Sequence, residues 1–229
     1  MKALILAGGF GVRLREIIHG RPKHLTPIND KPFIRHLVKM LQKRGIKDLV
    51  ISVGYLAQYI IEEFAHGYED IKVEFSEDNR PLGTAGSLKN AQPYFQKDFF
   101  IINGDTYLDI DYQKLMATHQ KNQALLTIVA TTKHKNKGGI ILTQKNSITK
   151  FVADSEAKTP SSSLRNAGIY AASPDIFKYI PARTKSSLET DIIPELVNQH
   201  KKIQLFTTNQ EFIDIGSTTA YKQALKKLK

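Results

Sequence analysis

Three groups of residues in this chain have types and spacings that could do chemistry. The first is an apolar run, Ala3 to Ala7, that enters Gly8-Gly9-Phe10-Gly11, then Arg13, with Pro22-Lys23 further on. Glycines allow close backbone approach, and successive N–H groups can cradle phosphate oxygens. Arg13 and Lys23 add positive charge, and the combination suits the polyphosphate of a nucleoside triphosphate. The second group is a pair of aspartates. Asp105 follows the apolar run Phe99 to Ile102 in Asn103-Gly104-Asp105, and Asp214 sits in Phe212-Ile213-Asp214-Ile215-Gly216. A carboxylate at a strand exit packs poorly, yet offers Mg²⁺ the hard oxygens it prefers. Either aspartate alone reads equally well as a turn or cap residue; together, behind the glycine–arginine turn, they favour a metal pair. The third group is Glu77-Asp78-Asn79-Arg80-Pro81-Leu82-Gly83-Thr84-Ala85-Gly86. It leaves a strand and enters a helix, where free N–H groups can bind a ligand or simply be capped.

Two other phosphate-binding patterns are excluded. A P-loop ends in Gly-Lys-Ser/Thr, which Gly11-Val12-Arg13 does not supply. A dinucleotide fingerprint needs a third glycine where Leu14 stands, and an acidic residue at a second strand end that is absent at the right distance.

The elements that must position these residues alternate. Strands are expected at Lys2–Ala7, Leu49–Val53, Lys72–Phe75, Phe99–Asn103 and Leu125–Thr131. Helices are expected at Phe33–Arg44, opened by Pro32 and closed by Gly45, and at Ala57–Phe64 and Gly86–Tyr94. This rhythm predicts an α/β fold with a Rossmann-like, doubly wound, mostly parallel sheet. Ligands bind such sheets outside the carboxyl ends of the strands, where the glycine turn and Asp105 both fall. Beyond residue 110 the pattern is less regular. Short strands are expected at Gly139–Leu142, Ile148–Val152 and Ala167–Ala172, helices at Pro174–Tyr179, Thr190–Gln199 and Thr218–Leu228, and a polar loop at Ser155–Ser163. The expected organisation is a single domain over 1–229, with a nucleotide-binding half to about residue 110 and a second half, about 111–229, after it, which the family resemblance described below makes the sugar-binding half.

Composition narrows the class. The 229 residues are 41% hydrophobic, contain no cysteine, and carry 33 basic against 22 acidic residues for a net charge of +11. No disulfide framework or thiolate metal site is available. No apolar run approaches a membrane span, and the N-terminal run is too short for a signal peptide, so a cytoplasmic protein is expected, without membrane attachment. The basic excess suits small anionic substrates. Nucleic acid is not expected as a partner, since no aromatic-interleaved basic motif or zinc-finger spacing accompanies the charge.

Taken in order, GGFGVRL, PKH, KP, LGTAG, NAGIY and SLETD resemble the sugar-1-phosphate nucleotidyltransferase family, whose opening signature is roughly GGxGTRL, PKP and KP. The resemblance covers Met1 to about Tyr221. It implies a nucleotide site at Leu6, Ala7, Gly8, Gly9, Gly11 and Arg13, with Glu77, Pro81, Gly83 and Thr84 toward the base and Asn103 and Asp105 toward the phosphates. It implies a sugar-phosphate site at Gly139, Asn166, Gly168 and Glu189, and Mg²⁺ on Asp105 and Asp214. Arg13 and Lys23 become the catalytic cations, stabilising the leaving pyrophosphate and the transferring phosphate. PINDKPF, LGTAGSL, SLETDIIP and FIDIG are most similar to the D-glycero-D-manno-heptose 1-phosphate guanylyltransferases, which implies GTP and that sugar phosphate. A uridylyltransferase acting on N-acetylmuramic acid 1-phosphate or glucose 1-phosphate is the alternative, and a non-catalytic regulatory relative is a third reading; a homo-oligomer is compatible with all three.

Three departures from the family pattern stand out. Val12 replaces a threonine, His24 replaces the second proline of PKP, and Phe151-Val152-Ala153-Asp154 lacks the lysine of the family's F-x-E-K. Lys158, from the adjacent polar loop, is the expected substitute for that phosphate-holding lysine. Lys150 is the alternative, though alternation puts it on the same face as Val152.

Overall fold

The computed structural model describes residues 1–9, 20–68, 70–132, 139–144, 147–152, 164–210 and 212–228. Its strands are β1 (Lys2–Leu6), β2 (Pro27–Ile28), β3 (Lys31–Pro32), β4 (Asp48–Val53), β5 (Lys72–Glu77), β6 (Phe99–Asn103) and β7 (Thr106–Tyr107), then β8 (Leu126–Thr131), β9 (Ile140–Gln144), β10 (Ser147–Val152), β11 (Leu164–Ala172), β12 (Ile203–Thr208) and β13 (Ile213–Asp214). Its α-helices are α1 (Phe33–Lys43), α2 (Ala57–Glu63), α3 (Gly83–Asn90), α4 (Tyr112–Lys121), α5 (Ile193–Asn198) and α6 (Thr218–Lys227).

β5, β4, β1 and β6 lie side by side and parallel. β11 follows β6 in the antiparallel sense and pairs on its far edge with β8, which is parallel to β12. The near edge of β11 is shared: Ile169 to Ala172 pair with β6, while Leu164 and Arg165 pair with β9, the entrance to the β9–β10 hairpin. The mostly parallel, doubly wound sheet read from the sequence is therefore present, with one reversed strand inside it.

The central strands β1, β4, β6 and β11 are buried on both faces, as a sheet covered by helices on both sides requires. Ala3, Ile5, Ile102 and Ile169 face a core under α1 and α4; Leu4, Leu6, Ile101 and Tyr170 face another under α3 and α5. α1 buries Phe33, Ile34, Leu37, Val38, Met40 and Leu41, one stripe of a 3.6-residue period, and ends before Gly45 at φ +79°. A small third core joins Ile28 and Phe33 to Ile213, Ile215, Ala224 and Leu228. It docks α6 onto the segment that follows Lys23 and onto the strand that carries Asp214. Tyr221 Oη donates to the Pro27 carbonyl at 3.1 Å, and Asn29 Nδ2 to the Leu228 carbonyl at 2.6 Å.

Several expected boundaries move. The helix expected at Gly86–Tyr94 begins at Gly83 and ends at Asn90; a separate 3-10 turn, Gln92–Tyr94, holds Pro93, which lacks the N–H an α-helix would need there. Pro174–Tyr179 is 3-10 rather than α. The segment expected to be helical from Thr190 opens as a wide turn over Leu188–Ile192 before α5, and Ser187 caps it by accepting from the N–H groups of Glu189 and Thr190. Helix α4 and strand β12 stand where no element was expected. Ser155–Ser163 lies outside the described residues. Among the described residues no helix is long and apolar enough to cross a membrane.

Candidate active site

The carboxyl ends of β1, β4, β5 and β6 open onto one cavity of about 530 Å³. β1 delivers Leu6, Gly8 and Gly9 to its wall, β4 delivers Gly54 and Tyr55, β5 delivers Asp78, and β6 delivers Asn103 and Asp105. Ala7 does not line it; buried, it continues the ladder by donating its N–H to the Ser52 carbonyl at 2.9 Å. Opposite, Asn79 to Thr84 and Ser87 close the cavity, with Lys185.

Lys23 and Asp105 meet at this cavity. Pro22 precedes a 3-10 turn, Lys23–Leu25, held by the Thr26 hydroxyl donating to the Lys23 carbonyl at 2.6 Å. Lys23 Nζ lies 2.5 Å from Asp105 Oδ2, with both side chains about four-fifths shielded from solvent. Burial alone raises the Asp105 pKa, but the Lys23 ammonium outweighs it, and the carboxyl ionises below its ordinary range. His24, in place of the family proline, is buried with its ring against Gly104. Burial lowers its pKa to about 3, the Lys23 charge acts in the same sense, and Asp105 opposes it, so the imidazole is neutral at physiological pH.

Asp214 stands beside Asp105 without lining the cavity. β13 pairs antiparallel with β7, placing Asp214 opposite Thr106, and the Ile215 N–H donates to the Asp105 carbonyl at 3.0 Å. Asp214 Oδ1 accepts the Gly216 N–H at 2.5 Å. Among the described residues no group of three His, Cys, Asp or Glu could by itself enclose a metal.

At the other end, Asp78 carries the buried charge. Its Oδ2 accepts from the Ser87 hydroxyl and, at 3.5 Å, from Ser52; its Oδ1 accepts from Asn90 Nδ2 at 3.0 Å. Burial raises its pKa, with these donors pulling in the opposite sense. Glu77, expected near the base, is exposed and does not line this cavity, whereas its neighbour Asp78 does. The signal was available: Ser76 and Asp78 are two apart on extended chain and both turn toward Asn90 of α3, leaving Glu77 pointing away. Tyr55 at the rim and Lys185 were not singled out from the sequence; no motif marks them.

Behind Asn103 lies a second network. Thr84 Oγ1 donates to Glu189 Oε2 at 2.7 Å, Tyr170 Oη to Glu189 Oε1 at 3.3 Å, and Asn166 Nδ2 to Tyr170 Oη at 2.6 Å. Asn103 Nδ2 lies 3.4 Å from Glu189 Oε1. Three expected sugar-site residues thus come together here: Asn166, Glu189 and Gly168. Gly168 adopts φ +68°, and an added Cβ would sit 2.7 Å from Asn103 Nδ2, so side chain and conformation both demand glycine. Gly83 has the same requirement: at φ +72°, its missing Cβ would collide with the Ser186 carbonyl. Gly139 instead packs against the Phe151 ring and accepts the Asn166 N–H at 2.8 Å, supporting the network from behind. Lys150 is exposed on β10. Gly11, Arg13 and Lys158 lie outside the described residues.

A glycine turn at the end of β1, a lysine–aspartate pair beside it, and a polar network one strand further along define a nucleotide-handling α/β protein. The chain belongs to the nucleotidyl transferase family, whose profile matches residues 2–229. It is 34% identical to the D-glycero-alpha-D-manno-heptose 1-phosphate guanylyltransferase of Aneurinibacillus thermoaerophilus, over 100% of this chain and 98% of that one. The corresponding enzyme of Campylobacter jejuni is 32% identical over 96% and 97% of the two chains. Among solved structures, HddC from Yersinia pseudotuberculosis complexed with GMP-PN superposes with a TM-score of 0.87, at 31% identity over 100% and 99% of the chains.

Proposed function

We propose that this protein joins GTP to D-glycero-D-manno-heptose 1-phosphate, giving the GDP-sugar and pyrophosphate. The observation that carries the base assignment is Asp78. Guanine is the common base with two adjacent donors, N1–H and the N2 amino group, on its pairing edge, and a carboxylate accepts both. Uracil and thymine would present one donor, N3–H, flanked by carbonyl oxygens that the same carboxylate repels. The sugar assignment rests on the relatives, both guanylyltransferases of this heptose phosphate at full length.

The chemistry needs no covalent intermediate. An oxygen of the sugar phosphate, already anionic near neutral pH, forms a bond to the α-phosphorus; the bond to the bridging oxygen breaks, and pyrophosphate departs. Catalysis is positioning and charge neutralisation. Lys23 meets the α-phosphate or the incoming sugar phosphate, and Gly8 and Gly9 let the polyphosphate approach the backbone. Arg13 is assigned by the family signature to the leaving pyrophosphate. Asp105 and Asp214 would hold Mg²⁺: Asp105 Oδ2 pairs with the Lys23 cation, and Asp214 on the adjoining strand would add hard oxygens. Bound there, Mg²⁺ would neutralise α-phosphate oxygens as a Lewis acid.

The test is pyrophosphate release by the purified chain with GTP, UTP, dTTP, CTP and ATP, each against heptose, mannose, glucose and N-acetylmuramic acid 1-phosphates. GTP with the heptose phosphate is expected to give the highest kcat/KM. A uridylyl preference, or no release with any pair, would overturn the proposal.

A further inference from the structure

Across the Asn79–Leu82 loop from the substrate cavity lies a second hollow of about 730 Å³, walled by α3, the Gln92–Tyr94 turn and residues 174–183. Arg80, Lys89 and Arg183 line it. Lys89 Nζ donates to the Phe177 carbonyl at 2.6 Å, and Arg80 Nη2 to the Arg183 carbonyl at 2.6 Å. Those acceptors are neutral: they hold the side chains in place without cancelling their charge. Among the described residues none of the three cations has a carboxylate within ion-pair distance. Glu77 also lines the wall, which leaves a positive excess beside the accessible rings of Pro93 and Pro174. Three cations against one carboxylate, next to apolar surface and side-chain amides, match a ligand with both phosphate and a ring.

The hollow is joined to the substrate cavity by one side chain. Asn90 lines the hollow, yet its Nδ2 donates to Asp78 Oδ1 at 3.0 Å and to the Glu77 carbonyl at 2.9 Å. Asn79, Arg80 and Leu82 border both spaces. A ligand that displaces Asn90 or this loop alters the carboxylate at the base end of the cavity. We propose that the hollow is a second anion site that takes a nucleotide, and that its occupancy is coupled through Asn90 and the Asn79–Leu82 loop to nucleotide binding in the cavity. The coupling rests on the guanine reading of Asp78; the existence of the second site does not. Linkage makes any such coupling reciprocal.

The experiment is an amide NMR titration of the full ¹⁵N-labelled chain with GDP, following Gly8 and Gly54 in the cavity and Gly86 and Gln96 at the hollow. Two midpoints are expected. Arg183→Glu should weaken the hollow's midpoint by about tenfold or more, about 1.4 kcal/mol, while Asp78→Ala weakens the cavity's. Lys89→Gln should act in the same direction as Arg183→Glu, so the result does not hang on one fold-sensitive variant. Filling the hollow should also shift the cavity midpoint in the wild type and leave it unchanged in Arg183→Glu. A single shared midpoint, or hollow shifts indifferent to Arg183→Glu and Lys89→Gln, would overturn the site. Equal shifts with inorganic phosphate in place of GDP would overturn the nucleotide as its occupant. Two sites with no mutual effect would overturn the coupling. Hollow shifts without cavity shifts would sink the guanine reading and leave the second site standing.

Discussion

Asp78 and Glu77 are adjacent, carry the same charge and sit in one motif, yet only Asp78 reaches the substrate cavity. Family wording identifies such a segment; strand alternation decides which of two neighbours turns inward, and that depends on where β5 ends. Gly8, Gly9, Lys23, Gly83, Thr84, Asn103 and Asp105 were legible because glycine turns and strand-exit polar residues leave local marks. Tyr55, Lys185 and the caging of Glu189 by Thr84 and Tyr170 were not, because each arises from segments far apart in the chain. Asp78→Asn would present an amide donor to guanine's donors. The KM for GTP should rise about 10- to 100-fold, the range of a lost hydrogen bond to a charged group, with a smaller change in kcat. Because burial raises the Asp78 pKa, the KM for GTP should also rise on acidification at a higher pH than an exposed aspartate would give, and Asp78→Asn should abolish that titration. A pH profile of KM that is the same in both proteins would remove Asp78 from base recognition. Lys23→Met tests the cation pair. Without divalent ions it strands the Asp105 charge, and stability should fall by on the order of 2 kcal/mol, between the values for exposed and buried pairs. Melting curves with chelator and with Mg²⁺ would check this: Mg²⁺ should stabilise Lys23→Met more than the wild type, and equal responses would mean that the ion does not bind at Asp105.

Elements with strong periodicity were readable, and those lying in mixed sequence were not. α1 came through because its apolar stripe is bounded by Pro32 and Gly45. α4 carries the same kind of stripe, Tyr112, Leu115, Met116 and His119, with Asp111 capping by accepting from the Lys114 N–H at 2.9 Å, but polar residues dilute it. β12 alternates only weakly, since it is half-buried along most of its length and pairs on one edge with β8. The turn after Ser187 shows what an element boundary does for the site. The Ser187 hydroxyl accepts from the Thr190 N–H at 3.1 Å and lies 3.2 Å from Glu189 Oε2, so one side chain caps the turn and steadies the glutamate. Ser187→Ala should lower stability by about 1 kcal/mol, the usual worth of such a cap, and raise the KM for the sugar phosphate more than that for the nucleotide. Denaturant unfolding and kinetics with each substrate varied would measure the two effects; equal rises in both KM values would assign Ser187 to the fold alone. Gly168→Ala, forced into a left-handed conformation against Asn103, should cost about 1–3 kcal/mol.

At the scale of the whole molecule, the net charge of +11 meets substrates that are all polyanions. Added salt should therefore lower kcat/KM for the nucleotide steadily while leaving kcat nearly unchanged, since screening acts on approach rather than on the bound complex. A salt-independent kcat/KM would show that the charge serves something other than substrate capture. The sheet as a class was visible from the alternation of strands and helices; the reversal of β11 was not, because a strand's direction depends on where the chain has travelled before it arrives. That reversed strand has a geometric consequence. β6 ends at Asn103, beside Gly168 of β11, and the two strands are joined by backbone pairing from Ile102–Ile169 to Phe99–Ala172. Ile102 and Ile169 are thus held one strand spacing apart, about 4.8 Å, by peptide geometry rather than by any side chain. On the proposed function, which puts the nucleotide at β6 and the sugar phosphate at β11, base and sugar can be exchanged by altering side chains at either strand while that spacing stays the same.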